Sequence, residues 1–129
     1  MSQILNNKGT DISYDNLIYS SKHPIDVKVI SVSQGLGVLK RGTVMSLVKE
    51  TGAYVVCGNT VEGKTVVANC IIADEVDTGT TGSNTVGAVA YITGNYNKNC
   101  LIVKDSYSLT EADIENLRSS GIIVSAANK

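Results

Sequence analysis

The sequence predicts an α+β fold that is mainly β: a small, compact, barrel-like β-rich domain with one C-terminal helix and a flexible N-terminal arm. Three observations carry this expectation. Short β-branched runs, Cys70-Ile71-Ile72-Ala73, Val86-Gly87-Ala88-Val89-Ala90-Tyr91-Ile92 and Cys100-Leu101-Ile102-Val103, alternate with segments rich in Gly, Ser, Thr and Asn, the pattern of strands and turns in a compact sheet or barrel. Helical end signals flank a single stretch, residues 111–120. The first two dozen residues are polar, with scattered apolar positions that hold no period.

Residues 1–21 are Asn-rich, and Ile4, Leu5, Ile12, Leu17 and Ile18 stand isolated among polar neighbours. Such a segment buries too little apolar surface to order itself and reads as an arm. Pro24 introduces Ile25-Asp26-Val27-Lys28-Val29-Ile30-Ser31-Val32, whose alternation predicts a strand, and proline is tolerated at a strand start. Glycines surround a short apolar segment over residues 35–45, Ser46-Leu47-Val48-Lys49 follows, the chain turns at Glu50-Thr51-Gly52 and returns as a strand over residues 53–57, which predicts a hairpin.

The polar break at residues 93–99, with Asn95, Asn97 and Asn99 around Tyr96, reads as turn. The loop at residues 78–84 reads as the most flexible internal segment. For the helix, Thr110 is the N-cap, Asp113 completes a capping box, Leu109 can staple onto Ile114, and Gly121 stops the helix with Ile122 placed against Leu117. A short final strand, residues 122–124, follows. The expected organisation is an arm over residues 1–24 and one domain over residues 25–129, a length that suits one core.

Composition narrows the function. Eleven basic against twelve acidic residues leave no basic face for nucleic acid. No apolar run approaches a membrane span, and the N-terminus has no secretory signal pattern, so the expectation is a soluble protein made inside a cell, with no membrane partner. Cys57, Cys70 and Cys100 are widely spaced, with one histidine in the chain. They read as buried reduced thiols, since a zinc site would need a fourth ligand. His23 has no second histidine to work with, and Asp74, Glu75 and Asp77 read as a solvated acidic turn, with weak cation binding as the alternative. No cofactor is expected.

Residues 58–65, Gly-Asn-Thr-Val-Glu-Gly-Lys-Thr, match the phosphate-cradling pattern G-x-x-x-x-G-K-[ST]. That chemistry needs a helix starting at Lys64-Thr65 and a long crossover to the next parallel strand. Four residues separate Thr65 from the run at Cys70, and Thr-Val-Val is poor helix material. The match therefore reads as a turn, and a small nucleotide-binding enzyme is only a remote alternative.

Read in order, Val38-Leu39-Lys40-Arg41-Gly42-Thr43-Val44, Gly52-Ala53-Tyr54-Val55, Ile72-Ala73-Asp74-Glu75-Val76-Asp77, Val89-Ala90-Tyr91-Ile92-Thr93-Gly94-Asn95-Tyr96-Asn97 and a helix leading to Arg118-Ser-Ser-Gly121-Ile122 resemble the head decoration proteins of tailed bacteriophages, of the lambda protein D type. The resemblance spans about residues 36–124. It implies a β-tulip or barrel-like domain that is not an enzyme. Such a protein binds as a homotrimer at threefold and quasi-threefold sites on the outer surface of the expanded shell, with the major capsid protein as partner, and stabilises the virion. It also implies an N-terminal arm that orders on the shell, for which Ile4, Leu5, Ile12, Leu17 and Ile18 would be the anchors. A capsid-anchored head fibre or adhesion base is the alternative, although the chain has no long stalk.

Overall fold

A computed structural model describes residues 17–20, 24–82 and 84–125. Its elements in chain order are β1 (Ile18–Ser20), β2 (Asp26–Ser33), β3 (Val38–Leu39), β4 (Val44–Val48), β5 (Tyr54–Val56), β6 (Val66–Ile72), β7 (Val76–Asp77), β8 (Thr85–Asn97), α1 (Glu111–Ser120) and β9 (Ile122–Ser125). β2 pairs antiparallel with β8 along its whole length, from Asp26↔Thr93 to Ser33↔Thr85. β2 meets β5 at Val32↔Tyr54, β5 forms the expected hairpin with β4, β4 pairs with β6, and β6 returns to β8 at Ile71↔Tyr91 and Ile72↔Ala90. The circuit β8-β2-β5-β4-β6 closes on itself, so the domain is a five-stranded barrel. The closing contacts are short, one residue pair between β2 and β5 and two between β6 and β8.

Two apolar layers use the two faces of the wall. Ile30, Val32, Met45, Cys70, Ile72, Ala88 and Ala90 point into the lumen, which small side chains fill without any Trp or Phe. Val44, Cys57, Ala68 and Ile71 face outward and are covered by Leu17, Tyr96, Leu117 and Ile122. β4 and β6 are therefore largely buried on both faces, and apart from Ser46 and Asn69 they are apolar rather than alternating. A bulge keeps Ala68 and Ile71 in the same layer: Met45 pairs with Cys70 but Ser46 with Ala68, so Asn69 is the extra residue and the parity changes there.

The helix forms as its sequence demands. Thr110 Oγ1 accepts from Asp113 N at 3.1 Å, Asp113 Oδ2 accepts from Thr110 N at 3.0 Å, and Gly121 closes the helix at φ 112°. Leu117 is fully buried and docks α1 on the outer wall. Two expectations need correction. Residues 93–97 are the distal half of β8 rather than a turn. Gly94, at φ 131°, bends the strand, and Asn95, Tyr96 and Asn97 are buried between β1 on one side and β9 on the other. Only residues 98–100 turn, as a short 3-10 helix. Conversely, residues 100–103 are not a strand. They touch the sheet through a single bridge, Ile102↔Thr43, with Val44 N donating to Ile102 O at 2.8 Å.

The loop after β7 is tied down at its start. Gly35 N and Gly37 N donate to the carbonyls of Thr78 and Gly79, and the Thr78 hydroxyl donates to Gly37 O at 2.7 Å.

Candidate functional site

The segment expected to reach a partner begins inside the domain. Leu17 is buried in the outer layer, with its side chain against Gly42, and its carbonyl accepts from Asn97 N at 2.7 Å. Ile18, half-buried, pairs with Tyr96. Residues 17–20 therefore pair with the sheet although they fall within the segment expected as the arm. Of the five expected anchors, Leu17 and Ile18 are spent within the chain's own fold, and Ile4, Leu5 and Ile12 lie outside the described residues.

On the other side of β8, β9 runs parallel, ending at Asn97↔Ser125, and Ser125 Oγ donates to Asn95 Oδ1 at 2.9 Å. Both ends of the described chain thus meet at one residue. Leu17 and Ser125 flank Asn97, separated by two inter-strand spacings, about 10 Å. Asn97 is itself fixed, because its side chain accepts from Asn99 N at 3.1 Å and caps the 3-10 turn.

Tyr96 holds this end rigid. Its ring is fully buried 5.2 Å from the ring of Tyr91, and its hydroxyl donates to Thr93 O at 2.7 Å. Burial drives its pKa well above the ordinary tyrosine value, and the neighbouring Tyr91 adds to the shift, so it is a neutral donor at any physiological pH. A Cβ on Gly94 would lie 2.6 Å from that hydroxyl, which makes glycine obligatory there for space as well as for φ. Arg41 donates to the Tyr91 hydroxyl and lies 5.3 Å from the ring centroid, bracing the other side. None of these residues was singled out by sequence reasoning. Gly94 between two aromatic residues was the available signal, hidden by the asparagines.

The phosphate-loop match resolves into a turn. β6 begins at Val66, directly after the motif, so no helix faces Lys64. The Thr65 amide is already taken by the Glu50 carboxylate at 2.8 Å, and this bond holds the Glu50 pKa below its ordinary value. Gly58, at φ 107°, is required because a Cβ there would lie 2.7 Å from the Tyr107 ring. Cys57 and Cys70 are buried thiols, pushed by desolvation to pKa values of about 11 and about 12, and Cys100 is half-buried. Among the described residues no three His, Cys, Asp or Glu side chains converge as a metal site, and no helix is long and apolar enough to cross a membrane.

A barrel of this plan, with β1 and β9 paired to one bent strand, fits the resemblance noted in the sequence, and the family model for bacteriophage lambda head decoration protein D matches residues 8–122. The chain belongs to the lambda head decoration protein D family. The match runs through β1 to the first residue of β9, and it starts within the expected arm, well before the residues that carried the resemblance. Membership makes this a phage capsid decoration protein, a structural component of the virion head. No curated protein matches the chain.

Proposed function

We propose that the protein binds as a homotrimer to threefold and quasi-threefold sites on the outer surface of the expanded shell, contacts the major capsid protein through its N-terminal arm, and stabilises the expanded state in a non-catalytic role. The observation that supports this reading most is the convergence of Leu17 and Ser125, the two ends of the described residues, on Asn97. It roots the arm at a braced point of the barrel, so that ordering the arm on a partner transmits load to the domain. Ile4, Leu5 and Ile12 are the anchors available to the shell, and Leu17 and Ile18 are the root. Strand addition to a capsid-protein edge would supply main-chain hydrogen bonds, with the three apolar side chains giving register.

Stabilisation follows from linkage. A ligand that binds the expanded shell better than its precursor shifts the equilibrium by its differential affinity, multiplied over many copies. Three arms on one trimer make the later contacts local, so individually weak anchors suffice. The test is a truncation that stops before the root. Removing residues 1–16 leaves Leu17 in the core, and the expected result is a folded protein that no longer sediments with expanded shells. A truncated protein that still saturates the shells would contradict the arm's role.

A further inference from the structure

Two apolar clefts flank the β3–β7 ribbon. The first, about 300 Å³, is lined by Val29, Gly87 and Val89 on the outer face of β2 and β8, by Val76 of β7, and by Asp74 and Glu75. Val29 is 66% exposed and Val27, on the same face of β2, is 53% exposed. The second, also about 300 Å³, is lined by Val38 and Leu39 of β3, by Ile102 and Val103, and by Lys40 and Asp105. Val38 is 53% and Ile102 41% exposed. Because Val38↔Asp77 and Leu39↔Val76 join β3 to β7, the ribbon separates the clefts as the ridge of a wedge.

Exposed apolar side chains of this size, gathered on both flanks of one ridge, point to a partner surface. We propose that the occupant of each cleft is a second copy of this chain, the Val27–Val29 flank of one copy seating against the Val38–Ile102 flank of the next, with the β3–β7 ribbons pointing at the axis. The inference deepens the trimeric reading above and rests on it. Charge distribution favours this head-to-tail pairing over like meeting like. The first cleft carries only the acids Asp74 and Glu75, which would repel across a self-matched contact, whereas the second supplies Lys40, with Asp105 also on its lining. Two unlike surfaces on the flanks of one wedge generate a rotation between copies, and a rotation of one third of a turn closes them into a three-membered ring.

The test is site-directed cross-linking with a short flexible bis-maleimide. Val29→Cys and Val38→Cys are made singly and together, and the wild-type chain is the control for the native thiols. Cross-linking is run on concentrated protein and on protein sedimented with expanded shells. The double variant should give covalent dimers and trimers, and a mixture of the two single variants covalent dimers only. Either single variant alone should give none above the control. Dimers from Val29→Cys alone would overturn the unlike-surface contact, and a cross-link from Val29→Cys to capsid protein would reassign that cleft to the shell. Shell-bound double variant without self-cross-links would overturn this inference alone, while wild-type protein that fails to sediment with shells would overturn the decoration reading and this contact with it.

Discussion

Leu17 is the residue whose environment changes the functional account most. In sequence it is one of five apolar residues scattered through a polar stretch, and only the short run Leu17-Ile18-Tyr19 sets it apart from Ile12. In the fold it is 1% exposed and closes the outer layer beside Val44 and Tyr96. Leu17→Ala should cost about 2–5 kcal/mol of stability, as buried leucine truncations do, measured by urea unfolding. The thiols give a second residue-scale prediction. Cys57 and Cys70 have ordinary values of 9.0 and folded values of about 11 and about 12, raised chiefly by burial. The unfolded chain therefore loses these protons first. Their contribution is intact below pH 9 and disappears as pH rises from 9 toward 12. Thermal unfolding should show a falling midpoint across that window, shallower in a Cys70→Ala variant.

At the scale of elements, α1 was fully legible, because caps are written in side chains a few residues apart. Thr110, Asp113 and Gly121 mark its ends in sequence and occupy those roles in the structure. Thr110→Ala should remove the capping box and cost about 1 kcal/mol, read from denaturant midpoints. The exposed Arg118–Glu115 pair on the same helix, 2.6 Å apart, contributes little by comparison. The distal half of β8 was illegible for the opposite reason. Asn95 and Asn97 have turn composition, but β1 and β9 supply main-chain partners from both sides and override it. At residues 100–103 the apolar run spoke for a strand, yet the segment packs as an extended cover over the outer layer, with one bridge to Thr43. Short apolar runs report burial more reliably than pairing.

For the whole molecule, the sequence spoke for a β-rich barrel with a C-terminal helix, and local patterns could go no further. The order β8-β2-β5-β4-β6 depends on pairings between residues as far apart as Asp26 and Thr93. The candidate site was legible only in part. An arm is what the composition of residues 1–24 suggests, whereas the pairing of Leu17 and Ser125 on either side of Asn97 emerges only when β1 and β9 are seen flanking one strand. The proposed role, an arm that binds the shell and is rooted beside Asn97, rests on that pairing. The most direct test is co-sedimentation of the full-length protein with expanded and with unexpanded capsids of the encoding phage. The account predicts saturable binding to expanded capsids alone. Equal binding to both forms would remove the differential affinity on which stabilisation depends, and binding to neither would contradict the account.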